Sequence, residues 1–222
     1  MKMVLLLLFE NLLRVAFGLY RTPRVSAPCI VVSNHNTVLD TYVLSVLFPL
    51  KALPRVRAAA AADTFSRGFF AWFCRNTLNP IMVNRHALKG DPLAEVRTAL
   101  ARGESLVIFP EGTRGEPGVI EPFRPGVGEI AREFPQIPIY PCFIAGIERV
   151  WPRGAKLPLP FNVEILVGKP YFADPKLHRR EIARILEEKV RELAGRYEQA
   201  RRGEIEFPDR RLLTTSPWTP PE

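Results

Sequence analysis

A chain of 222 residues has room for one α/β domain with a sizeable core and hardly for two. Hydrophobic residues make up 47% and charged residues 24%, a globular balance. Against 31 basic residues stand 23 acidic ones, and the net charge of +8 favours an anionic partner: a phosphate-bearing substrate, acidic headgroups, an acidic carrier protein or nucleic acid. Nucleic acid ranks last, because the basic residues are scattered and no recognition module stands out.

The stretch Met3 to Tyr20 is rich in Leu, Val and Phe. Glu10, Asn11 and Arg14 interrupt it, and no small-residue cleavage site follows before His35, which argues against a signal peptide. A full membrane span is also disfavoured, since each charge at mid-bilayer costs about 3 kcal/mol. On a helix Glu10 and Arg14 share one face, leaving a narrow polar strip beside a broad apolar surface. Such a helix suits one leaflet, with Lys2, Arg14, Arg21 and Arg24 near headgroups; a helix docked on the domain is the alternative.

Short apolar runs then alternate with helical patterns, which predicts an α/β fold: a mixed, largely parallel sheet flanked by helices, preceded by the amino-terminal hydrophobic helix. The predicted strands are Cys29–Ser33, Val56–Ala61, Pro80–Asn84, Ser105–Phe109, Ile137–Ile144 and Asn162–Gly168. The predicted helices are Thr37–Phe48, Ser66–Thr77, Pro92–Arg102, Val127–Phe134 and Lys176–Arg201. The last has Asp174 as N-cap and Pro175 at its first position. Ile182, Ile185, Leu186, Val190 and Leu193 form its apolar stripe, and Arg180, Arg184, Glu187, Glu188 and Arg191 its solvated face. Trp151 to Pro160 reads as a proline-rich surface loop. The chain divides into an interfacial helix over 1–24, a domain over 25–203 and a tail over 204–222.

Two segments carry chemistry. The first is Ser33-Asn34-His35-Asn36-Thr37-Val38-Leu39-Asp40, directly after the apolar run Cys29-Ile30-Val31-Val32. Inside one helix His35 and Asp40 would lie ~140° apart, too far to share a face. They meet if a helix begins between them, with Thr37 as N-cap and Asp40 three residues later. Asp40 would then fix the imidazole tautomer and stabilise the imidazolium as His35 takes a proton. The plainer alternative makes Asp40 a capping carboxylate and His35 a loop residue.

The second segment is Phe109-Pro110-Glu111-Gly112-Thr113-Arg114, at the carboxyl end of a predicted strand, where open α/β sheets bind ligands. Gly112 permits an unusual backbone angle and a close approach to a ligand. Arg114 suits phosphate oxygens, and Glu111 suits polyol hydroxyls or neighbouring arginines. A charged surface turn is the alternative. Arg85 points to the same sheet edge and Arg124 follows soon after, so a crevice that gathered Arg85, Arg114 and Arg124 would call for an anion. Cys29, Cys74 and Cys142 sit in apolar contexts without metal-ligand spacing; they read as buried free thiols in a reducing compartment, with no metal site.

In these segments the chain resembles the glycerolipid acyltransferases, the group containing lysophosphatidic acid acyltransferase and glycerol-3-phosphate acyltransferase. Asn34 to Asp40 is similar to the family's His-x-x-x-x-Asp block, and Asn79 to Arg85 to its second block. Phe109 to Arg114 matches the third block, and Ile137-Pro138-Ile139-Tyr140-Pro141 resembles the fourth. The family often has Gln-Ser at Asn36-Thr37, Gly at Asn79 and Lys at Arg124. The resemblance implies an O-acyltransferase of the family's fold that moves a fatty acyl group from acyl-CoA or acyl carrier protein to a lysophospholipid hydroxyl. The implied acceptor is 1-acylglycerol 3-phosphate, giving phosphatidic acid. It implies His35 and Asp40 as the general-base pair and Arg85, Glu111, Gly112, Thr113, Arg114 and Arg124 as acceptor-binding residues. It implies no cofactor beyond the thioester co-substrate, and a place on the cytoplasmic face of the cell membrane, peripheral or monotopic. Glycerol 3-phosphate or a lyso-ornithine lipid are other acceptors, and a non-catalytic lipid-binding protein is a rival from another class.

Overall fold

The computed structural model describes residues 11–12, 14–19, 23–37, 39–61, 80–83, 91–113, 115–116, 119–150 and 161–206. Runs such as Ile30-Val31-Val32 are apolar at every position, and strands of this kind belong in a sheet covered on both faces. The strands are β1 (Ile30–Ser33), β2 (Val56–Ala61), β3 (Pro80–Val83), β4 (Ser105–Ile108), β5 (Ile139–Ala145) and β6 (Glu164–Val167). Between them lie α1 (Asp40–Ser45), α2 (Ala94–Ala101), α3 (Gly126–Glu133) and α4 (Ile147–Val150), and α5 (Arg179–Arg201) closes the series. Each strand falls within two residues of its predicted bounds.

The six strands make one sheet in the order β3-β2-β4-β1-β5-β6. Every pair among the first five strands is parallel, and β6 joins β5 antiparallel. In the register Val31 faces both Val107 and Tyr140, so β1 is central, with β4 on one side and β5 on the other. The mixed, largely parallel sheet flanked by helices is thus the one anticipated.

Alternation along the strands builds two cores. Val31, Val107 and Ile144 pack with Tyr42, Val43 and Leu44 of α1 on one face. Ile30, Val32 and Leu106 pack on the other with residues of α2, α3 and α5 such as Val96, Ile130 and Leu186. The α3–α5 contact is close: a Cβ on Gly128 would stand 1.9 Å from the Arg179 carbonyl oxygen, so only glycine fits.

Three local expectations need correction. Thr37 does not cap α1; the helix begins at Asp40 without a side-chain cap, and the Thr37 hydroxyl accepts instead from the Leu39 N–H at 3.1 Å. Asp174 does not cap α5. It caps a preceding turn through Lys176 N–H at 2.9 Å, and α5 starts at Arg179 with His178 Nδ1 accepting from Arg180 N–H. The expected solvated face of α5 is also partly engaged. Glu187 accepts from Phe123 N–H at 2.9 Å and Arg191 donates to the Ile120 carbonyl at 2.6 Å, tying the segment 120–123 to the helix.

The described end of the amino-terminal stretch is helical at residues 14–16 and packs on the domain. Phe17 and Leu19 are buried, the Phe17 carbonyl accepts from Val163 N–H, and Arg14 donates to the carbonyls of Leu19 and Val46. Leu12 and Val15 remain exposed at 60% and 64%. Among the described residues no helix is long and apolar enough to cross a membrane. The predicted helix Ser66–Thr77, the loop Trp151–Pro160 and most of the 204–222 tail lie outside the described residues.

Candidate active site

The carboxyl ends of β1 and β4 are neighbours, so the two chemistry-bearing segments leave the sheet side by side. His35 and Asp40 do meet: the imidazole Nδ1 and Asp40 Oδ2 are 2.8 Å apart. The mechanism of their approach differs from a capped helix. Asp40 is the first residue of α1, and its carboxylate folds back over the loop before it. Oδ2 also accepts from the N–H groups of Asn36 (2.6 Å) and Thr37 (2.9 Å), and Oδ1 from the Thr37 hydroxyl (2.9 Å). This is half of a capping box: the carboxylate returns to the chain, and the reciprocal threonine bond is absent.

Asp40 is wholly buried, and the His35 side chain is 19% exposed. A carboxylate already accepting three other hydrogen bonds takes the Nδ1 proton as a fourth donor. That fixes the tautomer and leaves Nε2 as the nitrogen able to accept a proton. The imidazole also lies flat on the Phe109 ring, centroids 4.3 Å apart and planes 17° from parallel. Its rotation is therefore restricted on one side by an apolar plate and at one nitrogen by a hydrogen bond.

Glu111 holds the same loop from β4. Its Oε1 accepts from the His35 main-chain N–H at 3.1 Å, while the His35 carbonyl accepts from Gly115 N–H at 3.2 Å. Glu111 is 3% exposed, and its Oε2 is buried with no hydrogen-bond partner among the described residues. Burial pushes this carboxyl up to about 7, against the opposing pull of the His35 and Glu121 amides. The expectation that Glu111 binds polyol hydroxyls or arginines is thus only part of its surroundings: one oxygen belongs to the histidine loop.

Gly112 has φ +80°, a conformation that side chains resist. The space beside it is filled by Arg124: a Cβ there would meet Arg124 Nε at 2.4 Å. Arg124 Nε donates to the Glu111 carbonyl at 3.2 Å. Glu111, Thr113, Gly115, Glu116, Glu121, Pro122 and Arg124 line an open cleft of about 380 Å³ beyond β4. Arg124 is the one arginine among the described lining residues. Arg85 and Arg114, the other two arginines of the expected gathering, lie outside the described residues.

Three contributors were not singled out from sequence. Asn34 faces β5 with its amide: Oδ1 accepts from Ile144 N–H at 2.8 Å, and Nδ2 donates to the Ile144 carbonyl at 3.0 Å. Phe109 supports the imidazole and Gly115 holds the His35 carbonyl. A polar residue wedged between an apolar strand and a candidate base was the available signal for Asn34. The thiols fit expectation where described: Cys29 and Cys142 are buried and free, with burial pushing Cys29 up to about 12 and Cys142 well above its ordinary value. Cys74 lies outside the described residues. Among those residues no cluster of His, Cys, Asp and Glu is arranged to hold a metal.

The chain is also similar to known proteins. A 1-acyl-sn-glycerol-3-phosphate acyltransferase of Brassica napus chloroplasts is 27% identical over 158 residues, covering 70% of this chain and 44% of that protein. One from Pseudomonas aeruginosa is 28% identical over 156 residues, 66% of this chain and 55% of that one. The chain spans about half the length of these curated relatives. The crystal structure of the 1-acyl-sn-glycerophosphate acyltransferase from Thermotoga maritima matches with a TM-score of 0.61 over 86% of this chain and 80% of that one. At 22% identity that likeness establishes a shared fold. The model of the Acyltransferase family matches residues 14–145, more than half of the sequence, and the chain belongs to that family.

Proposed function

We propose that the protein transfers a fatty acyl group from a thioester, acyl-CoA or acyl carrier protein, to the free hydroxyl of 1-acylglycerol 3-phosphate, giving phosphatidic acid. The observation that carries this reading is the His35–Asp40 pair, 2.8 Å apart and set beside the Glu111–Arg124 cleft in a chain of the acyltransferase family. His35 Nε2 takes the proton of the acceptor hydroxyl as its oxygen attacks the thioester carbonyl. The carbon–oxygen bond forms, the carbon–sulfur bond breaks, and the departing thiolate takes the proton back from His35. Asp40 stabilises the imidazolium between the two transfers. Arg124, with Arg85 and Arg114 of the matching blocks, attracts the acceptor's phosphate. Glu111, Gly112 and Thr113 shape the glycerol site. Direct transfer of this kind calls for no metal and no acyl-enzyme.

The general base supplies about 10²–10⁴-fold, and placing the two substrates together supplies up to ~7–11 kcal/mol in ideal geometry. The test is a transfer assay with purified protein, octanoyl-CoA and octanoyl carrier protein against a panel of lysolipids. Phosphatidic acid formed from 1-acylglycerol 3-phosphate supports the reading. Transfer confined to glycerol 3-phosphate or to a phosphate-free lysolipid sinks the acceptor assignment.

The acceptor resides at a bilayer surface, and the amino-terminal helix is proposed to lie in the cytoplasmic leaflet. The exposure of Leu12 and Val15 on a helix end fixed to the domain supports this. Replacing both with aspartate should release the protein from phosphatidylglycerol vesicles; undiminished binding would refute the membrane role.

A further inference from the structure

We propose that a second cavity, between the carboxyl end of β5 and helix α5, seats the phosphopantetheine arm of the thioester donor. This rests on the acyl-transfer reading above and adds where its second substrate binds. Direct transfer needs two substrates converging on one base. The sheet order sets the base just past the carboxyl end of β1, between β4 and β5. The polar cleft occupies the β4 side of His35. On the β5 side lies a separate cavity of about 230 Å³ that reaches Asn34 and Asn36, the residues flanking His35.

One segment, residues 119–122, contributes to both linings. Val119 and Ile120 line the β5-side cavity, whereas Glu121 and Pro122 line the β4-side cleft. The hydrogen bonds from Arg191 to Ile120 and from Phe123 to Glu187 hold that segment in place. Its β5-side cavity is more apolar than the cleft, with Ile120, Phe143 and Ala194 among its lining. A narrow space of this volume suits a slender neutral chain better than a whole lipid. At its edge stand exposed Arg149 and Arg201 beside Glu148 and Glu198. Arg201 is shared between Glu198 at 3.6 Å and the Tyr197 ring. Two guanidinium groups at the mouth suit the phosphates to which a pantetheine arm is attached, whether in coenzyme A or on a carrier serine.

Gly195 is the second observation. It stands inside α5, where glycine costs roughly 1 kcal/mol relative to alanine. Neither backbone nor packing asks for it: its φ is not positive, and a Cβ would meet nothing within 4 Å among the described residues. It is exposed and lines the open side of this cavity, where a large side chain would crowd the entry of the arm.

The test replaces Gly195 with leucine, with Gly195→Ala as the control for helix propensity. Gly195→Leu should raise the KM for octanoyl-CoA and octanoyl carrier protein by about tenfold or more, leaving the KM for 1-acylglycerol 3-phosphate and the melting temperature undiminished. Arg149→Ala combined with Arg201→Ala separates the donors, since loss for one alone names which phosphate they serve. Equal donor KM values in Gly195→Leu and the parent overturn the proposal, as does a rise confined to the acceptor. Binding of S-octyl-coenzyme A, an unreactive thioether, gives an answer independent of turnover. If the parent transfers nothing, the acyl-transfer reading fails, while equal thioether affinity in parent and Gly195→Leu still overturns the cavity assignment and weaker affinity in the variant supports it.

Discussion

The Glu111 carboxylate holds His35 by its main chain, accepting the His35 N–H at 3.1 Å from the neighbouring strand end. The third block therefore positions the candidate base of the first. Glu111→Gln keeps an acceptor at Oε1, and Glu111→Ala leaves the His35 N–H without one. Glu111→Ala should lower kcat by about tenfold or more, while Glu111→Gln retains most of it. Equal turnover in the two variants would remove the positioning role.

The same residue predicts a pH dependence of stability. Burial raises its carboxyl from 4.5 to about 7. The folded chain then holds this proton over a range where the unfolded chain has lost it. The contribution is full below about 4.5, declines as the pH rises to about 7 and is gone above, a change on the order of 3 kcal/mol. Melting curves at several pH values across this window should show the decline in the parent and a smaller one in Glu111→Gln. Parallel curves would refute it.

For the base pair, His35→Ala should reduce kcat by about 10²–10⁴-fold with near-normal acceptor binding. Asp40→Asn should cost about as much, because an amide offers the Nδ1 proton a poorer partner and favours the wrong tautomer. Single-turnover rates at saturating acceptor decide the matter; full turnover by His35→Ala would end the general-base assignment.

Gly112→Ala places a methyl group where Arg124 Nε now lies, on a backbone at φ +80°. The left-handed conformation alone costs roughly 1–2 kcal/mol with a side chain. Denaturation should show that loss, and the acceptor KM should rise as Arg124 is displaced. Unchanged acceptor KM would detach Arg124 from acceptor binding.

Cys29 and Cys142 should resist iodoacetamide at neutral pH in the folded protein and react once it is unfolded, because burial disfavours both thiolates. Mass spectrometry of the labelled peptides reads this directly. Rapid modification of Cys142 with loss of activity would point instead to a reactive thiol at that position.

The strands were legible because continuous apolar runs such as Ile30-Val31-Val32 leave little alternative to a doubly covered sheet. Helix starts were less so. Asp174 is followed by proline and carries every local mark of an N-cap, yet it caps an isolated turn and α5 begins five residues on. The local signal was read correctly as a cap and wrongly as that helix's cap. Glu187 and Arg191 look solvated by periodicity, but partners 64 and 71 residues away in sequence claim them. The His35–Asp40 meeting was anticipated, and Asp40's hold on the Thr37 amide is the return bond of a capping-box spacing, whereas its hold on the Asn36 amide is a loop geometry that spacing does not encode.

The amide of Asn34 has a consequence for how β1 ends. A side-chain amide presents an N–H donor and a carbonyl acceptor side by side, as a strand residue's main chain does. By giving both to Ile144, Asn34 supplies the rung that another residue of β1 would have made. The ladder thus runs one step past the point where the backbone has left it, and β5 keeps no orphan peptide group at that step. The main chain beyond is released from sheet duty. Its next three N–H groups, those of His35, Asn36 and Thr37, all turn to carboxylates.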